Sequence, residues 1–229
     1  MPVFQLSDDL LFPPPRLARE DGLLAVGGDL SPERLILAYS QGIFPWYSAG
    51  EPILWWSPAP RLILIPAEFH CSRRLGRQLR QGLFRVTMDR AFAEVMAGCA
   101  SEGGRDELGT WILPEMATAY QRLHELGFAH SVECWQGEEL AGGLYGIALG
   151  GIFFGESMFS RAANGSKVAL ASLCGQLDHW GFTCLDCQMQ TPHLLRLGAR
   201  EVSREAFETL LDQSLALPSR PGPWRFGTP

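Results

Sequence analysis

GIFFGESMFSRAANGSKVAL at residues 151–170, followed by CLDCQ at 184–188, decides how this chain folds. Both IFFG and CLDCQ have strand composition, yet Glu156 interrupts the first, and Asp186 and Gln188 the second. A polar group in a core strand costs about 1–3 kcal/mol unless it is paired, and a carboxylate costs more. Acids on otherwise apolar strands therefore mark a site. Between the strands, Asn164 predicts the cap of a long helix ending near Trp180. The stretch reads as strand, helix, strand. Alternation along 182–188 predicts Asp186 and Gln188 on one face with Cys184, and Leu185 and Cys187 on the other.

Upstream, HSVECW and LAGGLYGIAL are strands joined by the turn QGEE, and Gly150-Gly151 predicts a tight hairpin into IFFGES. RLILIP and LFRVTM are two more strands. Helices are predicted over 71–81, over 89–99 with Asp89 as cap, from Pro114 to Gly127, and after a Ser203 cap. Such alternation implies an α/β fold with a mixed sheet. Residues 11–60 differ, being rich in Pro, Gly and Trp with one helix from a Ser31 cap to Gly42. They predict a small N-terminal domain over 1–60 ahead of a main domain over 61–229. The tail LPSRPGPWRFGTP reads as irregular chain.

With 229 residues, 46% of them apolar and 19% charged, the chain suits a soluble globular protein. Its longest apolar stretch, 140–154, is too short for a membrane span and holds five glycines. MPVFQLSDDL has no basic region ahead of an apolar run, so no signal peptide is read. Six scattered cysteines predict reduced thiols and a cytoplasmic location. The net charge of −6 hides an asymmetry: residues 71–90 hold six arginines against Asp89, leaving −11 elsewhere. Arg73, Arg77 and Arg80 share a helical face, with Arg74 beside them. That face is either a solvated surface or a phosphate-binding stripe. The aromatics Phe44, Trp46, Tyr47, Trp55 and Trp56 form either a small core or a stacking surface.

Several chemistries lack their residues. Cys184 and Cys187 diverge on a strand and have no second pair, so no metal site is implied. The glycine run at 142–151 has neither a Walker lysine nor G-x-G-x-x-G opening a helix. No G-x-S-x-G elbow surrounds Ser157 or Ser160. His124, His130 and His193 have no readable nucleophile partner and read as structural. Two readings survive. One is an enzyme positioning two substrates over Glu156, Asp186 and Gln188 beside an apolar cavity; the other is an RNA-binding module using the arginines and tryptophans. The acids favour the enzyme, because carboxylates repel phosphate.

GLLAVGGDLSPERLILAYSQGIFPWYS, EPILWWSP, GTWI, AYQRLHELGFAHSVECW, GGLYGIALG, FGESMFSRAANGSKVAL, LDCQ and LGA closely resemble the leucyl/phenylalanyl-tRNA–protein transferases. The likeness runs from about Leu6 to Leu210. It implies a bacterial cytoplasmic enzyme; no cofactor or metal is expected, and a monomer is expected because nothing in the sequence demands a dimer. Such enzymes move Leu, Phe or Met from aminoacyl-tRNA to proteins with N-terminal Arg or Lys, marking them as N-degrons. The implied fold is a GNAT-like acyltransferase domain behind a small N-terminal domain. The acetyltransferase pyrophosphate loop is missing before residue 164, which disfavours a coenzyme A donor.

By resemblance, Asp186 and Gln188 sit near the attacking amine, and Glu156 by the ribose and ester of the terminal adenosine. Trp46 and Trp111 contact the terminal nucleotide. Leu144, Phe153, Met158, Leu170, Leu177 and Leu185 form the donor side-chain pocket, and Arg73, Arg74, Arg77 and Arg80 meet the acceptor stem. Thr191 and Pro192, Arg196 and Ala59 depart from the family's pattern, the first three close behind Gln188.

Overall fold

Two sheets organise the chain in a computed structural model that describes residues 3–102 and 112–227. The first sheet comes from β1 (Phe4–Leu6), β2 (Leu23–Gly27), β3 (Phe44–Pro45) and β4 (Leu54–Trp56), in the order β1-β2-β4-β3. Helix α1 (Pro32–Ser40) lies between β2 and β3 in the chain and starts at Ser31, whose hydroxyl accepts from the Arg34 N–H at 3.4 Å. Trp55 is fully buried and donates its indole N–H to the Gly27 carbonyl at 2.8 Å. That part of the aromatic run is core.

The second sheet follows β5 (Arg61–Leu64), α2 (Arg73–Gln81), β6 (Arg85–Met88), α3 (Phe92–Glu102), α4 (Pro114–Glu125), β7 (Ala129–Gln136) and β8 (Glu139–Leu149). It continues through β9 (Ile152–Ser160), α5 (Gly165–His179), β10 (Cys184–Gln188), α6 (Pro192–Leu195), β11 (Arg200–Val202) and α7 (Arg204–Leu215). Its seven strands run β11-β5-β10-β9-β8-β7-β6, so the fold is mixed α/β, as expected. Every neighbouring pair is antiparallel except β9 with β10, which α5 joins as the crossover a parallel pair requires. The β8–β9 hairpin turns at Gly150, at φ +53°, where a Cβ would meet the Ser214 carbonyl oxygen at 2.3 Å.

Alternation divides the sheet's side chains between two cores. Tyr145, Ile147, Ile152 and Phe154 pack with residues of α1, α3, α4 and α7. Leu144, Ala148, Phe153 and Leu185 pack with α5, with Leu75 of α2, and with Trp224 from the tail. The tail is irregular, as its composition suggests, but Trp224 is only 2% exposed.

Two helix starts differ from expectation. Asp89 does not cap α3: at φ +53° its carboxylate accepts from the Ser131 N–H at 2.9 Å, from the Trp224 N–H at 2.6 Å and from His130 at 2.8 Å. Buried Glu133 of β7 instead accepts from the Arg90 and Ala91 N–H groups just ahead of α3. Asn164 precedes α5 in a left-handed conformation, and its side-chain amide donates to Gln78 of α2 rather than capping. Both differences arise from partners distant in sequence. No helix among the described residues is long and apolar enough to cross a membrane.

Candidate active site

β9 and β10 pair in parallel only as far as Phe154 and Asp186. Beyond that point both strands change phase. The β8–β9 ladder skips from Tyr145↔Ser157 to Gly146↔Gly155, which leaves Glu156 as the extra residue of a bulge. Phe153 and Met158 have opposite parity, and the bulge brings both to one side of the sheet. A second irregularity lies in β10, where pairing with β5 passes from Asp186↔Ile63 to Gln188↔Leu62 and Gln188 takes φ +56°. A non-glycine residue held there is strained by about 1–3 kcal/mol, a feature that collects at functional sites.

Where the two strands part, a cavity of about 620 Å³ opens. Leu144, Phe153, Met158, Leu170, Leu173 and Leu185 supply apolar wall. Glu156 and Gln188 supply polar wall, Trp46 and Phe44 also line the cavity, and His193 and Leu194 approach from α6. Leu173 was not singled out in the sequence, Phe44 was read there only as part of the aromatic run, and His193, read as structural, also lines the cavity. Leu177 is fully buried in the core behind the cavity and does not line it. The expectation for Trp111 lies outside the described residues.

Asp186 keeps the parity of Cys184, but Gln188 does not share its side. The bulge turns Gln188 into the cavity beside Leu185 and Cys187, correcting the simple alternation. Asp186 is fully buried and absent from the cavity wall. Its carboxylate accepts from Arg61 Nε at 2.8 Å and Nη2 at 2.6 Å, and from the backbone N–H of Gln188 at 2.9 Å. Arg61 is 1% exposed, donates its remaining nitrogen to the Gly42 carbonyl at 3.0 Å, and lies between the rings of Phe44 and Phe207. Sequence reasoning missed Arg61. The only local signal was an arginine heading an apolar strand. The side-chain Nε2 of Gln188 is buried without a partner among the described residues.

Glu156 accepts from the hydroxyls of Tyr39 at 2.8 Å and Tyr120 at 2.9 Å, and those two hydroxyls also bond each other. Three oxygen contacts need three protons. The phenols supply two, so the ring closes when Glu156 carries the third and donates it to one of the hydroxyls instead of accepting from both. Burial, against the pull of the two tyrosine hydroxyls, pushes the Glu156 carboxyl from 4.5 to about 7. Tyr145, also on the wall, buries a hydroxyl that has no partner among the described residues. At the mouth, burial first, then Lys167 and Arg196, hold the His193 pKa below its ordinary range.

The arginine helix presents one apolar side, Leu75 and Leu79, to the core that also contains the cavity wall. Arg73, Arg74, Arg77 and Arg80 are exposed and form no salt bridge among the described residues.

An apolar cavity with an amide and a buried carboxyl at its polar wall could hold an acyl donor while an amine approaches, an arrangement suited to an acyl-transfer enzyme. The family model described as leucyl/phenylalanyl-tRNA protein transferase matches residues 63–212, and that of the family's N-terminal domain matches 28–59. A leucyl/phenylalanyl-tRNA–protein transferase of Desulfatibacillum aliphaticivorans is 60% identical over 98% of this chain and 96% of its own. One from Syntrophobacter fumaroxidans is 59% identical over 94% and 92%, and one from Alkalilimnicola ehrlichii 58% over 94% and 84%. The chain belongs to the leucyl/phenylalanyl-tRNA–protein transferase family and is an aminoacyltransferase.

Proposed function

We propose that this enzyme moves Leu, Phe or Met from aminoacyl-tRNA to the α-amine of proteins beginning with Arg or Lys, tagging them as N-degrons in the cytoplasm. One observation carries this reading: the cavity between the parted strands is walled by aliphatic and aromatic side chains and bordered by Gln188 and Glu156. The donor side chain fills the apolar part, and the ester lies toward the two polar groups. β-Branched donors are stiff near the backbone and fit less well than Leu, Phe or Met.

The donor is an activated ester, so no covalent enzyme intermediate is needed. An α-amine has an ordinary pKa of about 7.7–8.0, and a useful fraction is neutral near pH 7.5. Placing it against the ester lowers the barrier by several kcal/mol, up to about 7–11 in the best intramolecular cases. Gln188 contacts the amine through its side chain. Asp186 acts as a positioning residue, fixing the backbone of Gln188 in its left-handed turn. Glu156 titrates near the working pH and ties α1 to α4 through the hydroxyls of Tyr39 and Tyr120. The chain works as a monomer.

The exposed arginines of α2 meet the acceptor stem, and Trp46 stacks on the terminal nucleotide. Arg77→Gln with Arg80→Gln should make the dependence of log affinity on log salt shallower by about 1–2. An unaltered slope would make this helix face a merely solvated one.

The deciding experiment compares transfer of labelled leucine from leucyl-tRNA to a peptide beginning with Arg and to one beginning with Ala. Labelling of the Arg peptide alone is expected. No transfer, with charged tRNA still bound in a salt-dependent manner, would support an RNA-binding role instead.

A further inference from the structure

The tail after α7 contains no helix or strand among its described residues, yet it buries Trp224 in the core behind the cavity and packs Phe226 against it. The backbone N–H of Trp224 donates to Asp89 at 2.6 Å, and its indole N–H donates to the Arg220 carbonyl at 2.8 Å. The indole stacks on His130 with centroids 3.6 Å apart and planes 6° apart, and meets Trp180 at 4.9 Å and Phe182 at 5.8 Å. His130 is itself fixed on Asp89. The tail is thus clipped to the sheet by a buried carboxylate that serves three donors at once.

The inner side of the indole meets Phe153, centroid to centroid at 6.0 Å and 38°. Phe153 is fully buried and forms part of the cavity wall. On the neighbouring strand it faces Gly146, where a Cβ would lie 2.5 Å from the Phe153 ring. The ring is confined between the bare backbone of β8 and the indole of the tail.

We propose that Trp224 is a specificity-determining positioning residue: by backing Phe153 it fixes the depth of the donor cavity. This rests on the reading of the cavity as the donor side-chain site. A tight interior transmits a removed ring to its neighbours, because the space left behind is filled only in part. With Trp224 shortened, Phe153 gains room to retreat and the cavity deepens without a change in any residue that lines it.

The test measures kcat/KM for tRNA charged with Leu, Phe and Trp, in the unmodified enzyme and in Trp224→Leu, Trp224→Phe and Met158→Ala. A ratio of donors is unmoved by a uniform loss of folded protein, so a merely structural role leaves it constant. Trp224→Leu should raise Trp relative to Leu by about tenfold, the low end of what one pocket group discriminates, and Trp224→Phe by less. Should Trp224→Leu fail to fold, Trp224→Phe carries the measurement. A shifted ratio in Met158→Ala with none in the Trp224 variants overturns the proposal and leaves the cavity reading standing. No shift in any variant overturns both.

Discussion

Arg61→Met should abolish most transfer, by about a hundredfold or more, the scale on which small misplacements of reacting groups act. It should also cost about 3–5 kcal/mol of folding free energy, the usual result of stripping one partner from a buried ion pair. The substitution leaves Asp186, which is fully buried, without its two charge-assisted hydrogen bonds. A lone carboxylate there must take up a proton or draw in water, and either response releases the Gln188 N–H from its 2.9 Å bond. The left-handed turn at Gln188 then loses the contact that holds it. A double variant separates the two consequences. Arg61→Met with Asp186→Leu replaces the pair by apolar groups, a change often neutral or favourable in itself. Stability should recover in part, limited by the orphaned Gln188 N–H, while transfer stays lost. Urea unfolding and the leucine-transfer assay on both variants decide the matter. If the double variant regained transfer, the pair would be a structural feature with no part in setting Gln188. Asp186→Ala should likewise lose transfer and keep its affinity for tRNA, since neither Asp186 nor Arg61 lines the cavity.

The second large effect concerns pH. In the folded enzyme the Glu156 carboxyl is raised from 4.5 to about 7, chiefly by burial. Between those values the unfolded chain has given up this proton and the native state still holds it. Native protein therefore binds more protons, and stability falls as pH rises from about 4.5 to about 7, then levels off. The contribution is fully present below pH 4.5 and lost above pH 7, for a total of about 3 kcal/mol. Glu156→Gln keeps the shape and all three hydrogen bonds of the ring: its amide donates to Tyr39, Tyr39 to Tyr120, and Tyr120 to the amide oxygen. It has no proton to lose. The variant should come within about 1 kcal/mol of the unmodified enzyme near pH 5 and exceed its stability near pH 8 by about 3 kcal/mol. Unfolding free energies at pH 5, 6, 7 and 8 supply the comparison, in which the other titrating groups cancel. Parallel curves would mean that Glu156 is ionised in the native state and that the tyrosine ring is not closed by its proton.

The two effects meet at the polar wall of the cavity. Arg61 and Asp186 set the backbone of one strand, and the tyrosine ring sets the side chain on the other. Both anchors involve the chain before residue 61: Gly42 and Phe44 contact Arg61, and Tyr39 contacts Glu156. The geometry of the site thus depends on the N-terminal segment as well as on the seven-stranded sheet.

What the sequence determined by itself were features whose cause is local. Alternating apolar residues wrote the strands, Ser31 and Ser203 wrote two helix starts that accept the bonds expected of them, and Gly150 wrote the hairpin. Glu156, Asp186 and Gln188 stood out because acids and amides are costly on core strands, and their motifs were specific enough to point to a family. Tertiary structure alone decided how those residues are used. A period of two cannot announce a bulge, so the phase changes at Glu156 and at Gln188 were invisible, and with them the side on which Gln188 lies. The partner of Asp186 is Arg61, 125 residues away, and those of Glu156 are Tyr39 and Tyr120, 117 and 36 residues away. Trp224, in a tail that composition marks as loose, is held by Asp89, 135 residues distant. Hydrogen bonds and packing act over a few ångströms whatever the separation along the chain. Only the folded sheet brings these groups within that range.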